Sequence, residues 1–339
     1  MKKNNLLRDI LSAGKNPRLP DENLLLVLLR KTCKILENEK ALIRPLDRQK
    51  SPGGLIYCRP EIPALLVPDL HGRSGLLPAV LSLRLAGEKT VFDMIAAGSL
   101  QVICMGDAFH SENRGMQRWK SAWDEYIGNY TEHNNIDEEM AENLSVLQIV
   151  LQLKCAFPEF FHFLKGNHEN ILNREDGGNF PFRKFAQESH MTLSYLRKFY
   201  PDTAEEIGRY EQNLPLLAAG SFFLVSHSEP RRFFSVDEVV NYRTNADVVF
   251  GLTWTDNDES EEGSVEKMLE VFLDSPLPRY YFGGHRPAGN QYSIRAAGKF
   301  FQFHNPSKST VCLLQPDLHF NPDRDIFDIQ PVPQRPDHD

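Results

Sequence analysis

Five runs of apolar residues in this chain end in the same kinds of side chain, and that repetition constrains the fold more than any other feature. The runs are 64-ALLVPDLHG-72, 101-QVICMGD-107, 160-FFHFLKGNHE-169, 222-FFLVSHSE-229 and 280-YYFGGHRP-287. Each apolar stretch has the length of a strand buried on both faces. Each is followed within three residues by Asp, Asn or His. Open α/β sheets build their sites just beyond the carboxyl ends of strands. Of the 11 histidines, four fall at these points: His71, His168, His227 and His285. Taken singly, each element has a bland reading. An Asp after Gly106 caps a segment, and a lone His is more often a satisfied core residue. Only the set, recurring in order, points to one shared site.

That set of Asp, His and Asn suits divalent Mn, Fe or Zn. One carboxylate can bridge two ions about 3.5–4 Å apart, and such a pair binds phosphoryl oxygens and activates water for in-line displacement. The chemistry indicated is phosphoester hydrolysis.

The rest of the chain fits an enzyme. Its 339 residues support one large core. A net charge of -8 disfavours a passive nucleic-acid binder. The five cysteines are scattered and form no CxxC, so neither a disulfide framework nor a structural zinc site is expected. Cys104 and Cys155 read as reduced core residues. The basic N-terminus lacks an apolar h-region, and no run reaches the roughly 18 apolar residues of a membrane span. A soluble, cytoplasmic protein with no membrane partner is expected.

Leu24, Leu25, Leu28, Leu29, Cys33 and Leu36 predict a helix over 20–40, capped by Asp21. A second helix is predicted at 142–154, and a helical, charged region at about 180–212. Strands are predicted at 64–67, 101–105, 160–164, 221–226, 279–283, 298–304 and 310–314. Residues 115–140 read as an exposed, partly helical insertion. The tail 321–339 reads as extended or disordered. The alternation gives an α/β sandwich built on a mixed sheet, with residues 1–320 as one domain.

In order and spacing the five runs resemble the calcineurin-like metallophosphoesterase superfamily, and within it the serine/threonine phosphoprotein phosphatases. That family's order is GDxHG, GDxxDRG, GNHE, a strand ending in His, then GH. Here the counterparts are PDLHG, GDAFHSENRG, GNHE, VSHSE and GGHRP. The stretches 142–170 and 210–230 are similar to the family's segments leading into GNHE and into its third motif. 251-GLTWTDND-258 is similar to its WSDP loop. The likeness spans about 25–315 and implies an αββα sandwich. It also implies two divalent ions. The first would be held by Asp69, His71 and the bridging Asp107. The second would be held by Asp107, Asn167, His227 and His285. Pro287 stands where wider relatives carry a second His, so water would complete the first ion's shell. The resemblance further implies a hydroxide held between the ions, with His168 as general acid.

The departures concentrate in one segment. His110 stands where the family has the Asp that orients its acid, and Ser111 where it has a phosphate-binding Arg. Glu112 is expected to take the orienting role and Arg114 to reach the phosphate. For a second phosphate-binding Arg the expectation falls on Arg231, Arg232 or Arg243. Substrates implied are a phosphorylated protein or a small phosphomonoester. Two alternatives stay open. One is a dinucleoside polyphosphate hydrolase or other phosphodiesterase, with Trp119 and Trp123 as a base clamp, although those rings read better as pinning the insertion. The other is a noncatalytic, metal-bound binding module.

Overall fold

The computed structural model describes residues 3–330. Its strands are β1 (Leu55–Tyr57), β2 (Ala64–Val67), β3 (Arg84–Ala86), β4 (Lys89–Thr90), β5 (Gln101–Cys104), β6 (Phe161–Phe163), β7 (Leu217–Ala219), β8 (Phe223–Ser226), β9 (Tyr280–Gly283), β10 (Ser293–Arg295), β11 (Phe300–Gln302), β12 (Thr310–Leu314) and β13 (Ile326–Asp328). Two mixed sheets carry the fold, in the orders β13-β12-β2-β5-β6 and β1-β7-β8-β9-β11-β10, while β3 and β4 form a separate hairpin.

The sheets pack face to face with helices outside both. Along β2, Leu65 and Val67 face the helical layer, while Ala64 and Leu66 face the other sheet. The period-2 pleat sends alternate side chains to opposite apolar layers, so both must be apolar. Between the sheets lie Ile56, Ile103, Met105, Leu164, Val225, Phe282, Phe301 and Cys312. Outside the second sheet, Leu217, Leu224, Tyr281 and Phe300 pack on Phe234, Val248, Leu252 and Met268. Each fully buried side chain of this size contributes about 1.5–3 kcal/mol.

The predicted first helix is Glu22–Leu36, and Asp21 accepts from the Leu24 N–H as its cap. The predicted helix at 142–154 begins a full two turns earlier, as Asn134–Ala156. One face of its polar first half is buried all the same: Ile136 and Met140 pack inward, and Arg118 pairs with buried Glu139 and Glu142. Within 115–140, helix Met116–Ile127 packs along it and buries Trp119 completely. The region expected to be helical over 180–212 is helical only over Glu188–Phe199 and Pro201–Gln212. Residues 177–187, with two glycines and a proline, form irregular chain instead. The start of the expected tail is built in. Ile326–Asp328 is extended but pairs antiparallel with β12. Residues 331–339 lie outside the described residues. All five cysteines are free thiols. Among the described residues no helix is long and apolar enough to cross a membrane.

Candidate metal centre

Three parallel neighbours, β2, β5 and β6, end at one level and deliver the first ligands. Their loops are laced together. His71 N–H donates to Asp107 O (2.6 Å), Gly72 N–H to Ala108 O (3.0 Å), and Met105 N–H to Val67 O (3.0 Å). From the other sheet, parallel β8, β9 and β11 end against the same edge. There Gly284 N–H donates to His227 O (2.8 Å) and Phe303 N–H to Gly283 O (3.2 Å). The cleft thus sits where the two sheets' carboxyl ends meet.

Close approach explains two glycines. A Cβ on Gly166 would lie 2.2 Å from Asp107 Oδ1, and one on Gly284 would lie 1.9 Å from Asp69 Oδ1. Five polar residues of the cleft adopt left-handed backbone: His71, Asp107, His110, Glu112 and His285. Each such non-glycine costs about 1–3 kcal/mol and is characteristic of functional sites.

Asp107 sits at the centre. Its Oδ2 lies 3.5 Å from His71 Nε2, 3.5 Å from His227 Nε2 and 3.8 Å from His168 Nε2. Its Oδ1 accepts from His168 N–H at 2.9 Å. Asp69 Oδ2 is 3.9 Å from His71 Nε2, and Asp69 Oδ1 is 3.8 Å from His227 Nδ1. Asn167 Oδ1 is 2.8 Å from His227 Nε2 and 3.1 Å from His285 Nδ1. The predicted ligand residues Asp69, His71, Asp107, Asn167, His227 and His285 therefore share one cleft. Glu169 buckles the loops from below, accepting from Gly166, Asp107 and Ala108 N–H at 2.7–2.8 Å.

The residues fit cations. His71 Nδ1 lies 3.0 Å from His110 O, and His227 Nδ1 lies 2.8 Å from Met105 O. Donation to those carbonyls orients each ring and turns Nε2 toward Asp107. His227 Nε2 faces the Asn167 amide oxygen at 2.8 Å, a contact that an unprotonated nitrogen tolerates only with a cation between. Buried Asp69 Oδ1, His168 Nδ1, His285 Nε2 and both nitrogens of His304 have no hydrogen-bond partner. Leaving such groups unsatisfied costs about 1–3 kcal/mol each. Burial, with Glu169 and Asp69 close by, pushes the Asp107 carboxyl well above its ordinary range. Burial pushes His71 down to about 3 and His168 and His285 well below their usual value. Neutral imidazoles are the form that binds metal.

Other predicted residues are placed differently. Glu112 does not reach His168. Its left-handed backbone turns the carboxylate toward His304 Nε2 (3.2 Å), Lys184 Nζ (3.7 Å) and His71 Nε2 (3.8 Å). His168 is held by ring contacts instead: Phe182 stacks on it at 4.5 Å, and His71 and His110 meet it edge-on. His110 Nδ1 accepts from Glu112 N–H (3.0 Å), and its ring lies between Trp119 and Phe185. Its Nε2 is 3.7 Å from buried Glu188, too long for a hydrogen bond. Arg114 stands half-exposed beside the His71 loop, paired with Glu142. Arg231 lies over the Phe250 ring. Arg232 is tied to Asp247 and Glu238, and Arg243 to Asp47 and the Pro52 and Asn213 oxygens. Arg232 and Arg243 are thus already matched within the fold. Trp119, fully buried against His110, offers no face to a base.

The sequence reading missed Phe182, Lys184, Glu188 and His304. The first three lie in or beside the irregular 177–187 segment, where no periodicity marks them. His304 did carry a signal. Phe300, Phe301 and Phe303 followed by His304 and Asn305 repeat the strand-then-ligand pattern of the other five runs. A cavity of about 490 Å³ opens behind the GNHE loop, against Lys165 and Glu169 rather than Asn167 and His168. Its lining pairs cations such as Lys165 and Arg174 with Glu169 and Glu211, so it is electrically balanced without a ligand.

No protein-family description matches the chain, and no curated protein does. Among solved structures it is similar to a protein serine/threonine phosphatase from Saccharomyces cerevisiae. The two are 13% identical over 94% of this chain and 92% of that one, with a TM-score of 0.59. A cold-active protein-tyrosine phosphatase of a psychrophilic Shewanella species is 16% identical over 77% of each chain. Its TM-score is 0.49, too low to carry weight. The first likeness shows the fold: mixed sheets flanked by helices, as in that neighbour.

Proposed function

We propose that the chain is a metal-dependent phosphomonoesterase of the protein-phosphatase type, holding two divalent ions. The observation that carries this is the position of Asp107 Oδ2, 3.5 Å from one histidine of each ligand group. Asp69, His71 and Asp107 would hold one ion; Asp107, Asn167, His227 and His285 would hold the other. Ions there supply positive charge for phosphoryl oxygens and activate water.

The chain's own residues do the rest. His71 and His285, held neutral by burial, offer lone pairs without competing positive charge, and His227 turns Nε2 toward Asp107. His168, its ring clamped under Phe182, presents Nε2 on the Asp107 side, where a leaving oxygen would need a proton. A bound phosphate dianion raises that imidazole's proton affinity, countering the desolvation that lowers it. Arg114, on exchanging its Glu142 partner, and half-exposed Lys184 would meet the remaining phosphate oxygens. Substrate would be a phosphorylated protein or a small phosphomonoester; enclosed Trp119 removes half of the base clamp on which the dinucleoside polyphosphate alternative leaned, while Trp123 stays half-buried.

One observation favours a second reading, a noncatalytic metal protein: no carboxylate is hydrogen-bonded to His168 Nδ1 among the described residues. A single assay separates these. Metal-stripped protein is tested on p-nitrophenyl phosphate and bis-p-nitrophenyl phosphate with Mn²⁺ added back. Cleavage of the monoester, falling more than about 1,000-fold in Asp107→Asn, is expected; that corresponds to about 4 kcal/mol. Preferential diester cleavage would make it a phosphodiesterase, and two bound ions without turnover would leave the noncatalytic reading.

A further inference from the structure

We propose that His304 is a protein ligand of the first ion, through Nδ1, and that Glu112 holds its other nitrogen. This rests on the two-metal reading above and completes it. That reading leaves the first ion short of protein ligands, with water filling the shell. The structure puts an imidazole there.

His304 is fully buried just past the end of β11, and neither ring nitrogen has a hydrogen-bond partner. Its Nδ1 lies 3.8 Å from Asp69 Oδ2, and its ring centre lies 5.2 Å from that of His71. One ligand atom each from Asp69, His71 and His304 falls within 4.8 Å of the others. Atoms bound about 2.1 Å from one ion at 90–109° stand about 3–3.5 Å apart, so small side-chain shifts close the set. Asp107 adds a fourth donor, 3.5 Å from His71 Nε2.

The surroundings hold the ring in place. Arg73 donates to Asp69 O and Leu70 O on one side, and to Asn305 O and Lys308 O on the other. It thereby pins the loop bearing Asp69 to the loop bearing His304. Ala288 N–H donates to His304 O at 2.7 Å, fixing the same loop to the segment after His285. Glu112 Oε2 is 3.2 Å from His304 Nε2, out of line for a hydrogen bond as the ring now sits. A slight rotation of the ring brings Nε2–H onto the carboxylate. Metal-bound histidines commonly donate their other N–H to a carboxylate in this way, which fixes tautomer and orientation. Glu112 therefore serves the metal shell, not His168, and is a positioning residue. Two imidazoles with two carboxylates favour Mn, Fe or Zn over Mg or Ca.

The test counts ions and ligating rings rather than turnover. Chelated protein is reloaded with Co²⁺ and dialysed. Wild type should hold two ions per chain; His304→Gln and His304→Ala should hold one. Glu112→Gln should keep two, with the first bound about 10–100-fold more weakly. Variants holding two ions with wild-type affinity overturn the proposal. In case those variants do not fold, the Co²⁺-loaded wild type gives a second answer. Paramagnetically shifted imidazole N–H resonances should number four, from His71, His227, His285 and His304; three overturns the assignment. Wild type that binds no Co²⁺ brings down the two-metal reading itself, a different failure from two ions with only three rings.

Discussion

The two ends of β6 carry two buried polar clusters, and they are built on opposite plans. At its start, Lys154 Nζ donates to Glu39 (2.6 Å), Pro158 O (2.8 Å) and Phe161 O (3.2 Å). Arg44 donates to Glu39 (3.0 Å), Asn213 O (2.8 Å) and Gly53 O (2.5 Å). These side chains are almost wholly buried; the two cations share the one carboxylate, and backbone carbonyls take their remaining donors. Past the other end of β6, Asp69, Asp107 and Glu112 crowd several imidazoles, some of whose nitrogens have no hydrogen-bond partner. Arg73 spends its donors on backbone carbonyls, and the one cation paired with these carboxylates among the described residues, Lys184, is half-exposed. In the first cluster the three charged side chains are all matched within the fold. The second keeps several unmatched buried atoms, which the proposed ions would satisfy. Burial and polarity are alike in both; the unmatched atoms are concentrated at the second.

That contrast can be broken or sharpened by experiment. The largest effect is expected at the open end. His168→Ala should lower turnover about 100–10,000-fold while metal content and melting temperature stay near wild type; loss of both ions instead would make His168 a ligand. At the closed end, Glu39→Gln should cost about 3–5 kcal/mol in chemical denaturation, because it strands two buried cations. Turnover per folded molecule should not change. The pH dependence has a definite sign. Burial alone would raise Glu39, but Lys154 and Arg44 hold its carboxyl down to about 2. Its contribution is therefore full above the ordinary carboxylate range and fades as pH falls from about 4.5 toward 2. The variant should lack that fade.

A smaller effect is expected from the ions themselves. Mn²⁺ at about 100 times its dissociation constant should stabilise wild type by about 2.7 kcal/mol per site, and chelation should reverse it. Added Mn²⁺ should not repair the deficit of Glu39→Gln relative to wild type at equal saturation. The smallest effect is expected at the rim. Arg232→Ala breaks a partly exposed pairing with Asp247 and Glu238 and should cost about 1 kcal/mol or less. Turnover on a phosphopeptide should hold; a tenfold fall would return Arg232 to the substrate site.

The candidate ligands were legible because parallel strands transmit sequence order into space. Asp69, Asp107, Asn167, His227 and His285 each end a strand, and strands side by side end together. The same rule applied to Phe303–His304 would have found the sixth. Glu112 was beyond reach for a different reason. A three-residue change of loop length and a left-handed backbone decide where its carboxylate points, and neither shows in residue type. Phe182 over His168 was hidden likewise, since 177–187 has no period to read. The early turns of Asn134–Ala156 were masked by their own burial, because Glu139 and Glu142 look solvated until Arg118 is placed beside them.

The ligands come from both layers. Asp69, Asp107 and Asn167 follow strands of one sheet; His227, His285 and His304 follow strands of the other. Elsewhere the sheets meet through side-chain packing such as Leu66, Ile103 and Phe282, which has no fixed direction and yields to sliding. Ions gripped at this seam would act as rivets, turning two plates that can shear into one stiff body at the place where a phosphate would dock.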